Sequence, residues 1–258
     1  MAVVHVSTFT DFLTAIAVSG DIVILDTDID ANAQEITNTV AIACAEIDGA
    51  GHTIYNVQCT RDIYPFRFDA VCTVHNCNWQ NVLLTAGAAL YQNSVSNRLI
   101  TINNCAYQGI FTGICRGNFN FIKCAFNLQR CANHAFSYYY SGVTLLLEHC
   151  YFKCDNISSA GVYRSTRARG CYFEGTLNNP NSNALIFDGY GDNSVYNIYV
   201  KSANSVTVYY GSSQDTPCIY NADRVDSTVT VSRPFIALTD AQMHSASEIA
   251  ATGFSIIV

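Results

Sequence analysis

Acidic residues offer the first candidate chemistry. Asp188 and Asp192 flank Gly189-Tyr190-Gly191, and a pair of carboxylates is what glycoside hydrolysis needs. Arg167 stands with Arg164 and Arg169 in a basic cluster whose guanidinium groups suit an acidic sugar or a phosphate. Asp26, Asp28 and Asp30 alternate. On one strand they would face one side as hard oxygen ligands for calcium. Each has a plainer reading: a Gly-rich acidic turn for Asp188 and Asp192, pairing of the arginines with Glu148 or Glu174, and a solvated strand face for the aspartate row. His75 with Cys77, and His149-Cys150 with Cys154, are partial ligand sets without the paired spacing of a zinc site. The plainer readings are the expectation, with no catalytic residue, metal or cofactor assigned.

Composition narrows the field. The chain has 258 residues, 50% hydrophobic and 13% charged, with mean hydropathy +0.15. A chain of this kind buries a sizeable core and is not intrinsically disordered. The net charge is −7, and lysine occurs only at positions 123, 153 and 201. No basic stripe is present, so nucleic acid is not an expected partner. No apolar run reaches the roughly 20 residues of a membrane span. The start, Met1-Ala2-Val3-Val4-His5-Val6-Ser7, lacks the positive region of a signal peptide. Free buried thiols are therefore the expected state of the 12 cysteines, rather than a disulfide framework.

Those cysteines carry a repeat. Cys77, Cys105, Cys124, Cys150 and Cys171 are each followed, after one spacer, by an aromatic residue: Trp79, Tyr107, Phe126, Phe152 and Phe173. Successive cysteines lie 28, 19, 26 and 21 residues apart, the range of a solenoid with one coil per repeat. Alternating apolar residues precede them: Cys72 and Val74, Ile100 and Ile102, Phe119 and Phe121, Leu145 and Leu147. This is strand periodicity. The residue just before each cysteine is Asn76, Asn104, Lys123, His149 or Gly170. Asn and Gly tolerate a left-handed backbone, so a tight bend is expected there. Stacked coils would set the cysteines in one buried column and the aromatics in another, with rungs about 4.8 Å apart.

Two end segments complete the pattern. Ser7-Thr8 precedes Phe9, Phe12, Leu13 and Ile16, and Gly20 follows, which reads as a capped amphipathic helix over 8–19. The β run 21–25 comes next, then Ile47-Asp48-Gly49-Ala50-Gly51-His52-Thr53-Ile54. With the repeat, this order resembles the right-handed parallel β-helix, pectate-lyase-like superfamily. The resemblance covers most of 7–210. It implies an all-β solenoid whose first helix covers the open end, and it says little about activity. We divide the single domain into a cap (1–20), coils (21–215) and a closing or assembly segment (216–258). Within the last, Thr239 and Gln242 read as a capping box for a helix over 240–252. Phe254, Ile256, Ile257 and Val258 form an apolar terminal strand that must pair with the last coils or a neighbour.

Enzymes of this superfamily carry motifs such as Asn-Thr-Asp, Asp-Asp and Gly-His-Gly, and the sequence contains none of them. Tyrosine is abundant at 16 residues, and Tyr138, Tyr139 and Tyr140 run together; such rings suit protein interfaces or sugar stacking. The expectation is a non-enzymatic structural or attachment protein of a virus particle, of the phage decoration, head-fibre or tail-spike type. It would be made in the host cytoplasm and located on the virion. Resemblance to phage spikes implies a homo-oligomer, with a trimer as the specific expectation, in contact with other virion proteins and with surface glycan. The alternative is a polysaccharide-active β-helix lyase or hydrolase using Asp188, Asp192 and Arg167.

Overall fold

The structure is a computed structural model. It describes residues 1–32, 34–59, 64–84, 88–92, 98–111, 113–131, 136–137, 145–157, 166–169, 172–177, 184–186, 195–196, 199–202, 206–209, 218–225, 229–231, 235–243, 245 and 247–248. The chain winds as a parallel β-solenoid. Its first sheet stacks, in order, Val3–Val6, Ile22–Leu25, Glu46–Asp48, Thr73–His75, Ile100–Asn103, Phe119–Ile122, Leu145–Glu148, Thr166–Arg169 and Val195–Tyr196. A second sheet runs from Ile29–Asp30 through Thr53–Tyr55, Asn78–Leu84, Ala106–Phe111, Ala125–Cys131, Tyr151–Ile157 and Tyr172–Leu177 to Tyr199–Ser202. A third is built from shorter strands: Val40–Ile42, Phe66–Phe68, Leu90–Gln92, Cys115–Arg116 and Phe136–Ser137.

Alternation decides what fills the interior. Val23, Ile47, Val74, Ile102, Phe121 and Leu147 point inward from the first sheet and are buried. On the second sheet the register pairs Trp79 with Tyr107, Tyr107 with Phe126, Phe126 with Phe152 and Phe152 with Phe173. Tyr107 and Phe126 stack at 5.0 Å, and Phe121 meets Phe126 edge-on at 5.4 Å. The two inner faces thus interlock through offset and edge-on ring contacts, which aromatic quadrupoles favour. Burying each such ring contributes about 2–3 kcal/mol.

Helix α1 (Phe9–Ile16) closes the first end. Thr8 caps it, its Oγ1 accepting from the Asp11 N–H at 3.2 Å, and Phe9, Phe12, Ala15 and Ile16 are buried. The Phe12 ring sits 6.3 Å from Trp79 and 6.5 Å from Phe66, plugging the space between the second and third sheets. The helix is shorter than the 8–19 expected from spacing, because the chain bends after Ala17 and Gly20 takes φ +79°.

Parallel pairing continues past residue 215: Val206–Tyr209 pairs Val229–Val231, and Cys218–Asn221 pairs Phe235–Leu238. The closing segment therefore contains paired strands as well as a helix. Thr239 and Gln242 form a reciprocal capping box. Thr239 N–H donates to Gln242 Oε1 at 2.9 Å, and Gln242 N–H donates to Thr239 Oγ1 at 3.3 Å. The helix they start is the short α2 (Asp240–Met243), and the remainder of the expected 240–252 helix lies largely outside the described residues. No helix among the described residues is long and apolar enough to cross a membrane.

Candidate functional site

The bend between the first and second sheets is built the same way in successive coils. Asn76, Asn104, Lys123 and His149 take φ of 51°, 52°, 53° and 52°. This left-handed backbone turns the chain so that the following cysteine points inward. Asparagine fits it at little cost; lysine and histidine adopt it at roughly 1 kcal/mol each. The outward amides form a ladder. Asn104 Nδ2 donates to Asn76 Oδ1 at 2.8 Å, and Asn76 Nδ2 donates to Asp48 Oδ1 at 3.3 Å. Beside the ladder Asn78 Nδ2 donates to the Gly51 carbonyl at 2.9 Å, and Asn78 Oδ1 accepts from Ala106 N–H at 3.2 Å.

An open groove of about 490 Å³ runs over these turns. Asn76, Asn78, Asn104 and Lys123 give its polar lining, and Ala106 and Ala125 are among its small apolar residues. Its ends lie several coils apart in sequence, so no local motif announces it. A second surface feature is equally non-local. On the third sheet Tyr64 and Tyr91 stack at 4.2 Å, with the Arg116 guanidinium 5.3 Å from the Tyr64 ring centre and donating to the Tyr64 hydroxyl.

The acidic residues near the first end are engaged one by one. Asp26 and Asp28 lie in the bend between Ile22–Leu25 and Ile29–Asp30, not on one strand. Asp26 Oδ1 is 2.7 Å from His5 Nδ1. Asp28 Oδ1 accepts the Thr53 N–H at 2.9 Å and lies 3.4 Å from His52 Nδ1. Asp30 Oδ1 accepts from Asn32 N–H at 2.7 Å and from Asn56 Nδ2 at 3.0 Å. The expected row of three carboxylates on one face is therefore corrected: the chain turns between them, and each is engaged by a different partner, Asp26 by His5 of the first strand, Asp28 by Thr53 and His52, and Asp30 by Asn32 and Asn56. Nearby, His75 Nε2 is 2.8 Å from Glu46 Oε1, while its Nδ1 faces Asn76 Nδ2 at 3.0 Å. His75 Nδ1 also lies 3.5 Å from Asp48 Oδ1. Among the described residues no group of three His, Cys, Asp or Glu side chains is arranged to hold a metal ion.

The thiols face the other way. Cys77, Cys105, Cys124 and Cys150 are buried and unbridged, as are Cys44, Cys59, Cys72 and Cys115. Each of three column thiols sits between the carbonyls of its own coil and the preceding one. Cys105 Sγ donates to Asn103 O at 3.3 Å, Cys124 Sγ to Ile122 O and Ile102 O at 3.4 Å each, and Cys150 Sγ to Phe121 O at 3.3 Å and Glu148 O at 3.4 Å. Burial, with Asp48 nearby, pushes the Cys77 thiol up to about 12. Burial also raises Cys115, and the bond to Cys124 followed by burial raises Cys105. Burial keeps Cys77 and Cys115 protonated and poorly nucleophilic, whereas hydrogen bonding with the Cys105 and Cys150 thiols lowers Cys124.

Asp188, Asp192, Tyr138, Tyr139, Tyr140, Cys171, Phe254, Ile256, Ile257 and Val258 lie outside the described residues. The backbone of Arg167 stands opposite Leu146, and that of Arg169 opposite Glu148.

No family model matches the chain, and neither a curated protein nor a solved structure matches it. The fold and the bonding of individual side chains are what bear on function.

Proposed function

We propose that this chain is a non-enzymatic structural or attachment protein of a virus particle that acts through surface contacts. Its kinship with the right-handed, pectate-lyase-like β-helix superfamily and with phage spike or decoration proteins belongs to the same proposal. The observation that carries it is the use made of the reactive side chains near the first end. Asp26, Asp28, Asp30, Asp48 and Glu46 hold turns or neighbouring rungs. The thiols hold carbonyls inside. General acid–base catalysis needs a carboxyl free to meet substrate, whereas these groups serve the scaffold.

A parallel β-solenoid with a polar groove suits attachment. A homo-oligomer, a trimer in the specific form, displayed beside other virion proteins completes the proposal. Its test is affinity capture of the tagged chain from particle-producing cells, followed by mass spectrometry and light scattering. Co-purification with particle proteins and a mass above that of a monomer are expected. A monomer that recovers no particle protein and degrades a polysaccharide would replace this reading with the β-helix enzyme.

A further inference from the structure

We infer that Cys44 and Cys72 are an oxidisable pair that forms a reversible disulfide, locking the capped end of the solenoid to the coil after it. The inference goes beyond the attachment reading and does not depend on it. The two sulfurs lie 4.0 Å apart on successive coils, and both residues are buried and unbridged.

Position in the coil separates this pair from the cysteine column. Cys105, Cys124 and Cys150 stand opposite one another, because the register pairs the residues that follow them, Ala106 with Ala125 and Ala125 with Tyr151. Side chains stacked in this way start about 4.8 Å apart, wider than the Cβ separation of a disulfide. Their sulfurs are also held by carbonyls. Cys44 and Cys72 lie instead at the corner between the third and first sheets. Ile42 pairs with Phe68 before that corner, and Glu46 pairs with Thr73 after it. Residues 43–45 turn the corner in one coil and 69–72 in the next, so the register slips by one residue. The slip brings the two sulfurs closer than the rung spacing. Val71, next to Cys72, is 61% exposed, so a small oxidant has one residue to pass.

The chemistry makes Cys44 the first to react. Its hydrogen bond with Cys72 lowers its thiol below the ordinary value, against the burial that would raise it, and the same bond raises Cys72. The thiolate is the nucleophile. With hydrogen peroxide as oxidant, Cys44 Sγ attacks one peroxide oxygen. The S–O bond forms, the O–O bond breaks, and the leaving hydroxide takes the Cys44 proton as water, giving a sulfenic acid. Cys72 Sγ then attacks Cys44 Sγ. The S–S bond forms, the S–O bond breaks, and the second hydroxide takes the Cys72 proton. Two thiols and one peroxide give one disulfide and two waters.

The corner is where the cap is fastened. Ala43 N–H and Cys44 N–H both donate to the Ile16 carbonyl at the end of α1, at 2.8 and 3.1 Å, and Gly20 N–H donates to Ala43 O at 3.3 Å. A terminal coil has a neighbour on one side, so the end of a stack is where it opens first. A bond from Cys44 to Cys72 ties the coil that carries the cap to the next one. A chain passing from reducing to oxidising surroundings is thereby tightened at that end.

The test treats purified wild type, Cys44→Ala, Cys72→Ala and Cys124→Ala with hydrogen peroxide and reads intact mass, peptide maps and thermal unfolding. Before oxidation both positions carry thiols. Oxidised wild type is expected to lose two hydrogens and to yield a linked peptide pair joining Cys44 to Cys72. Its Tm should rise by about 5–10 °C, the effect of closing a loop between positions 28 apart in a chain of this size. Dithiothreitol reverses all three changes. Cys44→Ala and Cys72→Ala show neither the link nor the rise, and Cys124→Ala shows both. The proposal is overturned if oxidised wild type has no Cys44–Cys72 link, if links form among the column cysteines instead, if Cys44 proceeds to a sulfinic acid, or if the link leaves Tm unchanged. The wild-type map decides the link even where a variant fails to fold. Loss of the link leaves the attachment reading standing, and loss of particle association leaves the link standing.

Discussion

Gly49 and Gly51, two residues apart in the Ile47–Ile54 segment, make opposite demands on the fold, and alanine at each separates them. A Cβ built on Gly49 meets Asn76 O and Cys77 Cα at 2.3 Å each and Asn76 C at 2.7 Å. All three are backbone atoms of the next coil's turn. Carbon contacts settle near 3.5 Å, so the turn must retreat by roughly 1 Å. That movement pulls on the Asp48–Asn76–Asn104 ladder and on the buried Cys77. Gly51 has φ +88° and open space around its Cβ position, so alanine there costs only the left-handed backbone, about 1 kcal/mol. Overpacking a turn that cannot yield costs about 3 kcal/mol. For a chain of this size the expected losses in Tm are about 6–12 °C for Gly49→Ala and about 2–4 °C for Gly51→Ala. Urea and thermal unfolding followed by circular dichroism measure both. If Gly49→Ala costs no more than Gly51→Ala, close coil stacking is not what requires glycine there, and the argument fails.

Other outcomes follow from the interior. Cys44, Cys59, Cys72, Cys77, Cys105, Cys115, Cys124 and Cys150, buried and unbridged, should resist a thiol reagent in the native state and react in denaturant without reductant; disulfide-linked species in the intact mass would contradict this. Cys124→Asp places a carboxylate among the carbonyls of Ile102 and Ile122 and should cost more than about 3 kcal/mol, while Cys124→Ala should cost about 1 kcal/mol, both read from urea midpoints. The Tyr107 hydroxyl is buried without a hydrogen-bond partner among the described residues. Tyr107→Phe should therefore be neutral or stabilise by up to about 1 kcal/mol, and a loss larger than that would show the hydroxyl to be bonded.

The repeat was legible because one chemical requirement recurs in successive coils from Cys77 onward. The position after the bend points inward, where a small apolar thiol fits, and two residues later an inward ring fills the middle of the solenoid. The bend itself was legible at Asn76 and Asn104, whose side chains tolerate positive φ, but not from the residue types Lys123 and His149, which adopt it only because the stacked turns on either side impose it. Capping residues Thr8, Thr239 and Gln242 could be read because caps are local. The third sheet could not be read, since strands such as Cys115–Arg116 and Phe136–Ser137 are too short to show alternation. Asp26, Asp28 and Asp30 misled because alternate spacing in sequence mimics a strand where the chain in fact bends. The groove was invisible for a related reason: Asn78, Asn104 and Lys123 meet only through the register between coils.

The claim that this solenoid binds rather than cleaves is tested most directly by one assay. Purified protein is incubated with acidic and neutral polysaccharides, and newly formed reducing and unsaturated sugar ends are counted, with an Asp188→Asn/Asp192→Asn double variant in parallel. The account predicts no release above the blank from either protein. Reproducible release by wild type that disappears in the double variant would contradict it and establish a β-helix lyase or hydrolase.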